Sequence, residues 1–376
     1  MAAKVAQESL VWYKRSMHSS TTTRLLPIDT HTPASDAIAE AAALIRAGRL
    51  VAFPTETVYG LGANALDPVA VAAIFRAKGR PANDPLIVHI AAAADLISIA
   101  ADLPPIAQIL ADRFWPGALT LVVPRQPHVP ANLAAGRPTV AVRMPAHPVA
   151  LALIRAAGVP IAAPSANLFS RPSPTTAQHV LDDLSGRIDL VLDGGPTRIG
   201  LESTIVDLTL AAPRILRPGG IPLEALRSLL PDITFAPRYQ ALEDQTALAA
   251  PGSLLKHYSP RAELRLVAGP RLAALAHLRA TTARLVATNH RVALLLADED
   301  AATLADLQCP IARLGPAADT TRIAARLFAA LREADATGVD IILAYVAAQY
   351  GLGQAIQDRL VRAAEGRVTT VTDGIL

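Results

Sequence analysis

The chain has one cysteine, Cys309, among its 376 residues. No intramolecular disulfide can form, and a zinc site built on cysteine thiolates is excluded. A reducing, cytoplasmic setting is the expectation. No apolar run reaches the ~18 residues that a bilayer-crossing helix needs, so no membrane contact is expected. Also missing are H-E-x-x-H, any Cys/His cluster at metal spacing, a Ser-His-Asp motif and the G-x-x-x-x-G-K-[ST] phosphate loop. Any nucleotide must therefore be held by another architecture.

Lysine is the second scarcity. Only four occur, and beyond the first 24 residues there are just Lys78 and Lys256. Arginine is the default cation, so each retained lysine points to a need for a compact ammonium instead of a planar fork. The formal charge of +3 is carried by the first 24 residues, where Lys4, Lys14, Arg15 and Arg24 stand against Glu8. The remainder is neutral by count, which argues against a general nucleic-acid binder with a basic face. Residues 1–24 lack an apolar h-region and a small-residue cleavage site. They read as a disordered extension, or as a start placed ahead of Met17.

What is present is a packed globular composition, 52% apolar and 18% charged, over a length that suits two domains. From about residue 34 helix and strand signals alternate. DPVAVAAIFRAKG has Asp67 as a cap and Pro68 at the first helical position, which puts Lys78 at a helix C-terminus. LVAFP, PLIVHI, ALTLVVP, TVAVRMP, VPIAAP, DLVLDGG, STIVDL and RILRPG are strand candidates. They predict an α/β domain over 25–232 with a twisted mixed sheet and helices. Residues 233–261, rich in proline and without periodicity, read as a linker. From 262 to 376, ELRLVAG, RVALLLAD, IARLG and DIILAYV alternate with helices, which predicts a smaller Rossmann-like parallel α/β domain.

Three loops gather polar residues beside strands. FPTETVYGLGANALD presents two threonines and a glutamate ahead of a glycine-rich turn. Gly60-x-Gly62-x-x-Ala65 only superficially matches a dinucleotide fingerprint, because the glycines come too late after the strand. In KGRPANDPLIVH, Lys78 and Arg80 occupy a proline-stiffened loop, and His89 shares a strand face with Ile87. Such a pair of cations suits an anionic ligand such as a polyphosphate; a solvated loop and a satisfied core histidine are the bland alternatives. APSANLFSRPSPTT offers Ser165, Asn167, Ser170 and Ser173 for phosphate, ribose or an amino acid, or simply forms a turn before a helix. Arg143, GLEST at 200–204 and Arg217 add polar groups at strand ends.

These motifs occur in an order that resembles the YrdC-like family: FPTETVYGLGANA, the K-x-R pair before PLIVHI, FWPGALTLVV, VAVRMPAHP, APSAN, GLESTIVD and ILRPGGI. APGSLLKHYSP and GLGQAIQDRLVRAA resemble the longer, two-domain form, so the likeness spans about 34–376. The resemblance implies an L-threonylcarbamoyladenylate-forming nucleotidyltransferase. It would join L-threonine, bicarbonate and ATP, release diphosphate and use Mg²⁺ bridged mainly by the ATP phosphates. A downstream tRNA threonylcarbamoyl transferase complex would then modify an adenosine beside the anticodon, with weak tRNA contact by this chain conceivable.

By the same resemblance, Thr57, His89, Arg143, Ala163 and Ser203 would hold threonine. Arg80, Asp84, Thr139, Ser165, Asn167, Ser173, Arg217 and Tyr258 would contact ATP, and Lys78 with Arg80 would be catalytic. Position 84 is often asparagine in the family, so an acid there would repel phosphate unless it reaches ribose or magnesium. KHYSP brings Lys256 and Tyr258, and the linker is expected to fold over the site as a lid. Two competitors remain beside this reading. An RNA-binding module would need the basic surface that the charge count lacks. A hydrogenase-maturing carbamoyl transferase would need zinc-finger-like segments, for which one cysteine leaves no room. Gly351-x-Gly353 precedes a helix but has no acidic partner after a second strand, so the second domain lacks a nucleotide fingerprint.

Overall fold

A computed structural model describes residues 22–235, 248, 254–347 and 350–372. Residues 1–21 and most of the expected linker lie outside these. The alternation of helix and strand resolves into two sheets. The larger contains β1 (Arg24–Pro27), β2 (Val51–Phe53), β3 (Gly60–Asn64), β4 (Ile87–His89), β5 (Leu119–Pro124), β6 (Thr139–Arg143), β7 (Ile161–Ala162), β8 (Leu190–Asp193), β9 (Thr204–Asp207), β10 (Arg214–Arg217) and β11 (Thr234–Phe235). Their spatial order is β1-β8-β2-β3-β7-β4-β6-β5-β9-β10-β11. The sheet is mixed: β4 runs parallel to β6 and β5 to β9, whereas β5 and β6 are antiparallel.

The smaller sheet contains β12 (Glu263–Ala268), β13 (Val292–Leu296), β14 (Ile311–Arg313), β15 (Ile341–Ala344) and β16 (Val368–Thr370), in the order β14-β13-β15-β12-β16. All of its pairs are parallel. Val292–Leu296 and Ile341–Ala344 are buried along their whole length, as strands covered on both faces must be.

Several segments differ from the expectation: Arg24, read as the end of a disordered extension, begins β1 beside β8, and Thr234–Phe235, inside the expected linker, form β11 beside β10. GLGAN, read as a turn, is strand β3, antiparallel to β2. The glycines are there for close approach. A Cβ on Gly62 would lie 2.8 Å from the Phe53 ring and 3.0 Å from Ile161, and one on Gly60 3.3 Å from Ala163. Without side chains, β3 nests between large neighbours that a longer residue would push apart. The helix Pro68–Lys78 starts as its sequence dictates: Asp67 accepts the Val69 N–H, Pro68 needs no donor, and Gly79 ends the helix at φ 63°.

The two units share one apolar cluster. Val58 and Leu201 from the first pack with Tyr258 and with Leu264, Phe328, Ile356 and Leu360. The approach is tight at Gly200, which has φ 76° and where a Cβ would sit 2.5 Å from the Ala324 carbonyl oxygen. Ion pairs Arg332–Asp183 (2.7 Å) and Arg171–Asp335 (3.4 Å) flank this contact.

The fit around β3 generates a prediction. Gly62→Ala is expected to destabilise the protein by about 1–3 kcal/mol through overpacking. Urea unfolding should show a lower midpoint at an unchanged slope. A midpoint equal to the parent's would show that Phe53 and Ile161 yield freely.

Candidate active site

His89 ends β4 and Arg143 ends β6, and the two are register partners in a parallel pair. Imidazole and guanidinium therefore stand side by side at one level of the sheet. Ile87 and His89, two residues apart, face the same side of β4, and a cavity lies over that side. Nine of the expected residues line it: Thr57, Arg80, His89, Arg143, Ala163, Ser165, Ser203, Arg217 and Tyr258. A register shift between Ile215 and Arg217 bends β10 just where Arg217 turns toward the cavity.

Each arginine here is buried and held. Arg143 donates from Nε to Gly117 O (3.0 Å) and from Nη1 to Thr57 Oγ1 (2.9 Å), while Nη2 pairs with Glu56 Oε1 (2.6 Å). Arg80 donates from Nε to Asp84 O (3.0 Å) and from Nη2 to Pro85 O (2.8 Å), and pairs with the Asp84 carboxylate at 2.8 Å. The acid at 84 is thus matched to the arginine four residues ahead. Arg217 donates from Nε and Nη2 to Ser203 O at 3.3 and 3.0 Å. Ser203 Oγ shares a 2.7 Å hydrogen bond with Thr120 Oγ1.

The other expected residues stand behind this lining. Lys78 is 2% exposed and donates from Nζ to the carbonyls of Ser165 (2.5 Å) and Asn167 (2.6 Å). Burial, then repulsion from Arg80, pushes this ammonium well below the ordinary lysine range. Asn167 braces the same loop by donating to Leu168 O and Arg171 O. Ser173 donates to Glu202 Oε1. Thr139 begins β6 opposite Pro124, outside the lining. Lys256, expected in the lid, points away toward Glu365 at 3.4 Å with its side chain 49% exposed. The inward residues of KHYSP are His257 and Tyr258.

Thr55, Glu202 and His257 also line the cavity. Thr55 and Glu202 belong to polar stretches already marked in the sequence, FPTETVYG and GLEST, whereas the only signal for His257 is its adjacency to Tyr258 in KHYSP. His257 packs edge-on against Phe169 and Tyr258 with centroids at 6.1 and 4.0 Å. Tyr258 is fully buried at φ 61°, a left-handed backbone unfavourable for a bulky residue.

Among the described residues no three His, Cys, Asp or Glu side chains gather where they could hold a metal ion. The acids nearest the cavity are already engaged: Glu56 by Arg143, Asp84 by Arg80, Glu202 by Arg359. This donor set fits a magnesium ion carried by phosphate oxygens and does not suit one chelated by the protein.

Fold and site define a two-domain protein of the YrdC type with a cavity lined by three buried arginines and by His257 and Tyr258. Residues 43–219 match the Sua5, YciO and YrdC family described as telomere recombination, and residues 221–365 match the threonylcarbamoyl-AMP synthase C-terminal domain. The threonylcarbamoyl-AMP synthase of Pyrococcus abyssi is 47% identical over 88% of this chain and 95% of its own length. That of Bacillus subtilis is 46% identical over 88% and 94%. The crystal structure of P. abyssi Sua5 complexed with L-threonine superposes with a TM-score of 0.87 at 44% identity, covering 93% of this chain and all of that one. The chain belongs to the threonylcarbamoyl-AMP synthase family.

His89 gives the site a pH signature. Burial, with Arg143 adding repulsion, lowers its pKa from 6.5 to about 3. Between those values the unfolded chain binds a proton that the folded chain refuses. Stability therefore rises with pH across the window, is complete above 6.5 and is lost as pH falls toward 3. One such site contributes up to about 1.4 kcal/mol per pH unit. Burial lowers His147, His179 and His257 in the same sense. Denaturation between pH 4.5 and 6.5 should therefore show at least this slope, reduced by one site's share in His89→Gln, and ring ¹⁵N shifts should report a neutral His89 imidazole at pH 5. A charged ring at pH 5 would contradict this account.

Proposed function

We propose that the protein condenses L-threonine, bicarbonate and ATP to L-threonylcarbamoyladenylate and diphosphate, and that this one cavity performs both bond-forming steps. The observation that carries this reading is the joining of two kinds of subsite. Arg143, Thr57, His89 and Ser203 share a cavity with Arg80, Arg217, Ser165 and Tyr258.

Threonine is placed by Arg143. Its Nε donates to Gly117 and its Nη1 to Thr57, while Nη2 is ion-paired with Glu56. The planar fork so held suits a carboxylate. His89 stays neutral, so it can position the amine end without adding positive charge. The free amine forms a C–N bond with the bicarbonate carbon, and water leaves to give the carbamate. A carbamate oxygen then attacks the α-phosphorus of ATP, and the bond from that phosphorus to diphosphate breaks. This step needs aligned reactants and neutralised charge more than a strong base. Arg80 and Arg217 supply fixed charge. Lys78, Asn167, Asp84 and Ser173 act from behind by holding the Ser165 loop, Arg80 and Glu202. Thr139 is assigned no contact. Magnesium bound to the triphosphate would neutralise phosphate oxygens when present.

His257 and Tyr258 cover the cavity and exclude water from a carbamate and a mixed anhydride that water would destroy. The product's lability requires prompt transfer to an acceptor, in keeping with a downstream complex that places the threonylcarbamoyl group on tRNA. No helix among the described residues is long and apolar enough to cross a membrane. With Cys309 alone, a reducing cytoplasm is the setting proposed.

Incubation of protein, ATP, Mg²⁺, bicarbonate and single amino acids should release diphosphate only with threonine. Release without threonine, or none at all, overturns the reading. Arg143→Ala should raise the threonine KM about 10- to 100-fold, the worth of a lost charged hydrogen bond. Arg80→Ala should instead lower kcat/KM for ATP by at least about tenfold. Full activity in both variants would refute these roles and leave the family assignment untouched.

A further inference from the structure

The function just proposed uses no residue of the second unit, yet two of the most deeply buried side chains in the molecule are arginines on its helix Gly353–Ala363. Arg359 has no exposed surface. Its Nε donates to Glu202 Oε2 at 2.7 Å, its Nη2 to Pro218 O at 3.0 Å, and its Nη1 to Asp358 Oδ2 at 2.6 Å. Its guanidinium carbon lies 5.1 Å from the centre of the Tyr258 ring. Asp358 also accepts from Arg362 Nε at 3.0 Å, and Arg362 Nη1 donates to Leu254 O at 3.0 Å. One helical turn thus fastens the GLEST loop, the residue after Arg217 and Leu254 in the later part of the linker.

We propose that Arg359 is a positioning residue for nucleotide binding, supplied to the active site by the C-terminal unit. Glu202 is the key. It is an acid lining a cavity meant for a polyanion, and it is tolerable there because Arg359 neutralises it and takes one oxygen while Ser173 takes the other. Burial alone would raise the Glu202 carboxyl, but Arg359 and Arg217 outweigh it and hold the group below its ordinary range. Without Arg359, a bare carboxylate would face the triphosphate, and Pro218 with Arg217, Tyr258 and Ser173 would lose a common anchor. The expected defect is specific to ATP. Threonine binds at Arg143, whose partners all lie in the first unit.

This inference rests on the reading that the cavity takes ATP, and the parent enzyme's threonine-dependent release of diphosphate tests that reading separately. Steady-state kinetics would compare the parent with Arg359→Met, Arg359→Lys and the double variant Arg359→Met/Glu202→Gln, each checked for folding by thermal melting. Arg359→Met should raise the ATP KM at least about tenfold while the threonine KM stays within about twofold. Removing the Glu202 charge in the double variant should recover much of that loss, which a merely structural role for Arg359 would not produce. If Arg359→Met fails to fold, Arg359→Lys decides. It keeps the charge but loses the fork to Pro218, and should raise the ATP KM about threefold or more. Equal shifts in both Michaelis constants, no shift in either, or a double variant no better than Arg359→Met would overturn the proposal.

Discussion

A buried cation must find a partner or give up its charge, and this active site is organised around that rule. Arg80, Arg143 and Arg359 each meet a carboxylate, and Arg217 and Lys78 meet backbone carbonyls. The pairing explains why so many acids stand near a site for anions. They hold the cations in fixed orientations before any substrate arrives, so charge is preorganised and need not be assembled during the reaction. Arg80, Arg143 and Arg217 line the cavity while their planar forks are held in place by these neighbours.

The same rule separates the two cationic types. Arginine serves where the planar fork must satisfy an acid on one side and a substrate on the other. Lysine at 78 serves as a compact, buried donor that draws two carbonyls of one loop together. Of the two retained lysines, Lys78 is buried on the loop's own carbonyls, whereas Lys256 turns outward to Glu365.

Much of this was legible in the sequence. Strand ends such as PLIVHI and TVAVRMP placed His89 and Arg143 correctly because period-two alternation fixes which side a residue faces. β3 was hidden, since its glycines mimic a turn and their purpose is set by Phe53 and Ile161, which approach from elsewhere in the chain. Asp84 read as an anomaly because its partner's orientation is a tertiary fact. Arg359 was invisible for a stronger reason: nothing in GLGQAIQDRLVRAA says that a helix of the second unit reaches an acid 157 residues earlier. Local patterns reveal elements and faces, whereas partners across a domain boundary depend on packing.

The apolar cluster shared by the two units has a consequence for how the molecule is made. A chain grows from its N-terminus, and domains tend to fold as they emerge. Every residue proposed to touch a substrate is synthesised by Tyr258, yet Val58 and Leu201 then lack most of their apolar cover and Glu202 lacks the Arg359 guanidinium. The cover builds up through Leu264 and Phe328, whereas Arg359 arrives only with the helix Gly353–Ala363, about a hundred residues after Tyr258. The nascent enzyme thus carries its substrate contacts well before they can be set, and translation of the final segment becomes the event that completes the site.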